Sequence, residues 1–155
     1  MKRWIDRALR LTRNRDGSAM LEFAIGSGVL IAAFTGTFQF GYSFLQYNNL
    51  ENAVARGTRY AAIATYDSAT TAPSDAFKAA VQNMVLYGST SAGTTPVVPG
   101  LATSNVNFTV TFANGVPSAM TVSITGYTIN SVFASATLTN KPQVTYPYQG
   151  IWAPI

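Results

Sequence analysis

Residues 23–45 read FAIGSGVLIAAFTGTFQFGYSFL, 23 positions without a formal charge. At about 1.5 Å per residue this stretch covers a hydrocarbon core of about 30 Å. It is longer than the usual core of a removable secretory signal, and no small-x-small cleavage pattern follows it. The stretch is therefore read as a membrane span, and its flanks set the orientation. Lys2, Arg3, Arg7, Arg10, Arg13 and Arg15 precede it, opposed only by Asp6 and Asp16, so the first 17 residues carry the whole net charge of +4. The positive-inside rule then places the N-terminus in the cytoplasm and the chain beyond about residue 46 outside it.

Charge elsewhere is sparse and balanced. Arg56, Arg59, Lys78 and Lys141 stand against Glu22, Glu51, Asp67 and Asp75. A basic balance often signals nucleic-acid binding, but here the excess belongs to a leader, and no nucleic-acid partner is expected. The 155-residue chain has neither cysteine nor histidine. That removes Cys/His zinc sites, thiol nucleophiles and His-based triads, and no phosphate loop or nucleophile motif is present. No catalysis, metal or cofactor is expected.

Helical character continues past the span through QYNNLENAVARGTRYAAIATY, where Leu50, Val54, Ala61 and Ala64 recur near helical spacing. One rod from about Ser18 to Tyr66 is expected, about 70 Å long, so that more than a third of it projects past the bilayer. Gly57 weakens it locally, at a cost of about 1 kcal/mol. Residues 67–75 read as a loop, with Ser74 or Asp75 opening a short helix that runs to Tyr87 and stops at Gly88. Residues 88–105 read as a mobile loop. Alternating runs at 106–112 and 120–127, with a turn near Asn114-Gly115, predict a hairpin whose apolar faces hold Val106, Phe108, Val110 and Phe112, and Met120, Val122 and Ile124. A helical turn is expected within TINSVFASATL (128–138), and an edge strand at 144–148. The fold class is α+β: a long N-terminal membrane helix continuing into a small outer domain with a short helix and a hairpin or small sheet. The division is a basic leader at 1–17, a long helix at 18–66 with its span at about 23–45, and an outer domain at 67–155.

The stretch Arg15-Asp16-Gly17-Ser18-Ala19-Met20-Leu21-Glu22-Phe23-Ala24 sets a carboxylate at the entrance of an otherwise apolar helix. An unpaired charge there costs several kcal/mol, so Glu22 needs a partner. If the chain were cut after Gly17, Ser18 would present a new α-ammonium one helical turn from Glu22. The pair could close within one chain, or between staggered neighbours. Capping a helix N-terminus, or lying among lipid headgroups, are the plain alternatives for such a residue.

At these residues the sequence resembles the TadE-like family of minor pilins from tight-adherence (Flp-type) pilus systems. The match rests on Arg15, Gly17, Glu22, Phe23 and Ala24, and the resemblance extends over about residues 13–45. It implies a cleaved basic leader, a Gly17–Ser18 cleavage site, and an assembly role for Glu22 and Phe23. Processing by a membrane-embedded aspartic prepilin peptidase is implied, as are other pilin subunits and the pilus assembly platform as partners. The implied protein is a minor pilus subunit with its outer domain beyond the cytoplasmic membrane, serving surface adherence. The alternative is a single-pass, signal-anchored envelope protein with an outer binding domain.

Further features have two readings each. Ala24, Gly28, Ala32 and Gly36, spaced by four, form a small-residue row that would let helices approach closely, although such residues are common in spans. Gly26 and Gly41 lie off that row. Tyr42, Tyr47, Tyr60 and Tyr66 are expected along the interface and the exposed rod, the first two as an aromatic belt. Arg56 and Arg59 either meet a neighbouring carboxylate or lie on a solvated face. Trp152, in the Pro-flanked QGIWAPI, is an exposed contact or a core plug.

Overall fold

The computed structural model describes residues 16–131 and 135–154. The expected leader lies almost wholly outside the described residues. Helix α1 runs from Asp16 to Ile63 without interruption. The chain divides into two compact units, one ending at Phe40 and the other comprising Gly41–Ile155. The first is, over its described residues, α1 alone.

In the second unit α1 acquires an inside. Leu50, Ala53, Val54, Thr58 and Ala61 are all fully buried, and their spacing of three, one, four and three residues keeps them on one face. Thr58 is tolerated in this row because its hydroxyl donates to the Val54 carbonyl at 2.7 Å. Helix α2 (Asp75–Tyr87) presents Phe77, Val81, Val85 and Leu86 to the same core. Its limits follow the sequence: the Ser74 hydroxyl accepts from the Phe77 N–H at 3.1 Å, and Gly88 stops the helix with a left-handed φ of 71°.

Gly57 has a role that its helix propensity does not show. A Cβ there would stand 2.2 Å from Cγ2 of Val85. The glycine therefore lets α1 and α2 cross at close range, and the propensity lost is exchanged for packing.

The loop after Gly88 contains no helix or strand before a 3-10 turn at Thr103–Asn105. Its second half is packed, with Val98 and Leu101 buried, and with the Tyr127 hydroxyl donating to the Pro99 carbonyl at 2.9 Å.

Strand β1 (Val106–Ala113) pairs antiparallel with β2 (Val116–Ile124). Asn114 and Gly115 both have positive φ, 53° and 80°, as a two-residue turn matched to strand twist requires. Strand β2 begins at Val116, earlier than its apolar alternation indicates. Pro117 is accommodated because the register shifts there: Thr111 faces Ala119 while Phe112 faces Pro117. Gly126, at φ 74°, follows the end of β2, so the strand does not reach the expected Tyr127.

The described residues of the segment expected to hold a helical turn are instead two paired strands, and residues 132–134 lie outside the described residues. Strands β3 (Thr128–Asn130) and β4 (Ser135–Thr137) pair antiparallel, and the Thr128 and Thr137 hydroxyls meet at 2.9 Å. β-Branched Thr128 and Ile129 favour extended backbone, and Ile129 turns into the core. Strand β5 (Gln143–Pro147) completes a three-stranded sheet in the order β1-β2-β5. It lies at an edge, where Pro147 is tolerated.

Tyr66 also departs from expectation, being fully buried at the end of α1 and not on an exposed rod. The helix ends at Ile63, and the chain then meets the C-terminal segment. Tyr66 N–H donates to Ile151 O at 2.8 Å, Ala153 N–H to Tyr66 O at 3.0 Å, and Gln149 N–H to Ala62 O at 2.8 Å. The Tyr148 hydroxyl lies 3.0 Å from the Ala64 carbonyl and 2.6 Å from that of Ile151. Carbonyls left open at the helix end are thus satisfied by the tail. Gly150 permits the approach, since a Cβ would lie 2.4 Å from the Ala64 carbonyl oxygen. Trp152 stays exposed but anchored: its indole N–H donates to Ser68 O at 2.9 Å and its ring meets Phe112 edge-on. Burial raises the Tyr66 and Tyr148 hydroxyls above the ordinary tyrosine pKa.

Candidate assembly segment on the N-terminal helix

From Gly17 to Phe40 nearly every side chain of α1 is exposed within the chain. Phe23, Phe34 and Phe38 are each at least three-quarters exposed on one side of the helix, and Leu21, Ile25 and Val29 are exposed on the opposite side. A helix apolar all round is found within hydrocarbon or among other helices. The helix passes the length and composition test for a membrane span. Three of its hydroxyls bond to their own backbone: Ser27 donates to Ala24 O at 3.0 Å, Thr35 to Ile31 O at 2.8 Å and Thr37 to Ala33 O at 3.0 Å. Hydroxyls bonded to their own backbone can enter a bilayer at little cost.

Gly17 and Ser18 lie in the first turn, both exposed, with open space where a Gly17 Cβ would stand. Glu22 follows Ser18 by one turn on the same face. Its carboxylate is exposed and, among the described residues, has neither hydrogen-bond nor ion-pair partner. Phe23 beside it is 77% exposed. The small-residue row Ala24, Gly28, Ala32 and Gly36 runs up one side of the helix, and a Cβ on Gly28 would meet nothing within 4 Å. On the other side, Leu30, Ala33, Phe34, Thr37 and Phe38 line a shallow apolar cleft of about 300 Å³. One continuous element therefore holds every residue that the sequence marked for cleavage, pairing and helix packing, and among the described residues all of them but the half-buried Gly36 are exposed.

These features define a protein with one long apolar N-terminal helix joined to a small α+β domain. Residues 17–59 match the TadE-like protein family. That segment starts at Gly17 and contains Ser18, Glu22, Phe23 and the small-residue row. It ends within α1, so α2 and all five strands lie beyond it. No curated protein and no solved structure matches the chain. The match covers 43 of the 155 residues, so the likeness to that family is confined to this segment of α1.

Sequence reasoning missed the Gly57 and Gly150 contacts. The only available signal was a glycine in an otherwise regular helix and another two residues before Trp152.

Proposed function

We propose that this chain is a minor pilin or pilin-like subunit of a Tad/Flp-type pilus, made as a precursor and cut between Gly17 and Ser18 by a prepilin peptidase. The observation that supports it most is the lone carboxylate of Glu22, uncovered and unpaired among the described residues, at the start of an apolar helix within the TadE-like segment. Cleavage creates an ammonium at Ser18, one turn below Glu22 on the same face. A neighbouring helix displaced by about a turn, some 5 Å, would bring its own new ammonium to the same level. Pairing in a helix bundle of low dielectric neutralises both charges, which favours assembled over dispersed subunits. The subunit would sit in the cytoplasmic membrane, outer domain beyond it, until taken into the fibre.

The test is the mature N-terminus. Co-expression with the cognate prepilin peptidase should give a chain beginning at Ser18, read by mass analysis of the N-terminal peptide. Gly17→Leu, which puts a branched side chain at the cut site, should leave precursor in the membrane. Recovery of Met1 alone from the wild type, with active peptidase present, removes the proposal.

A further inference from the structure

Beyond the apolar segment, α1 carries a second row that faces away from the core. Asn49, Asn52, Arg56 and Arg59 follow one another at steps of three, four and three residues, the spacing of a helix–helix seam. The core row of Leu50, Ala53, Val54, Thr58 and Ala61 occupies the opposite side. With Ala55 and Val97 these four polar residues line a groove of about 450 Å³. Arg59 also borders a second, smaller groove with Ala62, Ile63, Tyr146, Pro147 and Gln149, which continues the row toward β5.

Among the described residues, none of the four side chains makes a hydrogen bond or ion pair. The outer unit has only two other cations, Lys78 and Lys141, so half its basic charge is concentrated here. Two guanidiniums one turn apart, flanked by amides, offer a dense set of donors. Planar guanidinium forks match carboxylates in two-point contact, and the bond is strengthened by charge.

We infer that this groove receives a carboxylate carried on the helix of an adjoining pilin-type subunit. The inference rests on the proposed pilin function and extends it. The seam spacing fits a helical partner, and the charge fits an acidic one. Position supports the same occupant, because the row ends at Arg59, the last residue of the TadE-like segment, on the same uninterrupted helix as Glu22. Helices brought together through the apolar segment would run on past this row. The contact at Ser18–Glu22 would then be joined by a second polar contact of opposite arrangement, with the cations fixed in this chain and the carboxylate supplied by its neighbour.

Zero-length carbodiimide coupling tests this, because it joins amines to carboxylates in contact and leaves arginine untouched. In membranes from cells with the full pilus system, full-length Arg56→Lys and Arg59→Lys should each yield a peptide in which the new amine is amide-linked to an Asp or Glu of another subunit. Arg56→Ala/Arg59→Ala should lower co-purification of other pilus subunits at least tenfold. Its processing at Gly17 and its melting temperature should match wild type, since both side chains are exposed. Coupling confined to this chain's own acids, or wild-type co-purification by the double variant, overturns the inference. If the wild-type chain itself recovers no pilus subunit, the pilin reading fails first, and that result is distinct from failure of the arginine variants alone.

Discussion

At Glu22 one atom separates two accounts of the segment. Glutamine keeps the size and the hydrogen-bonding capacity of the side chain but removes its charge, so entry into the membrane should be as easy or easier. A carboxylate serving only the positive end of the helix would be missed slightly, and the variant would behave normally. A carboxylate paired with a freed ammonium would leave that ammonium stranded in an apolar bundle. Glu22→Gln is therefore expected to be cleaved normally at Gly17 while its co-purification with other pilus subunits falls on the order of tenfold or more. Pull-down with quantitative mass spectrometry measures both in one sample, and full recovery would make Glu22 a membrane-edge residue. The place of Glu22 on the helix was readable here because it depends only on residues a few positions away in sequence. The same holds for Ser74 and Gly88, whose capping roles depend only on their neighbours.

Elements meet where sequence says least. Gly57 read as a flaw in a helix because the side chain that explains it, Val85, belongs to another element. Replacing it with alanine should recover about 1 kcal/mol of helix propensity and lose about 1–3 kcal/mol by overpacking against a stiff β-branched residue. Gly57→Ala should thus lower the melting temperature of the outer domain, measured by circular dichroism, and Val85→Ala in the same chain should restore part of the loss by opening the crossing. An unchanged melting temperature for the single variant would mean that the two helices do not approach as described. The β3–β4 hairpin was misread for a related reason. Its strands are three residues each, too short for alternation to show, and their conformation depends on their pairing with each other and on the burial of Ile129.

On the scale of the molecule, charge distribution predicts an orientation. Basic residues crowd the side before the span, while the residues after Ser18 are balanced, so the outer domain should lie in the periplasm. A phosphatase fused after Ile155 should be active there, and activity only from a cytoplasmic reporter at the same site would reverse the topology. The broad plan of long helix, short helix and β-hairpin was legible because each part has its own periodicity. The junction of tail and helix end was not, because the hydrogen bonds from the Tyr148 hydroxyl to Ala64 and from Trp152 to Ser68 each join residues 84 positions apart. That separation also orders events in time. A chain emerging from the ribosome exposes the end of its long helix well before the residues that close it exist. Until some 84 further residues have been added and delivered, the carbonyls of Ala62 and Ala64 must be served by water, and Tyr66 has no lid. Closure of the helix end is therefore tied to delivery of residues 148–153, so a chain interrupted before them would carry a long helix with an unfinished end.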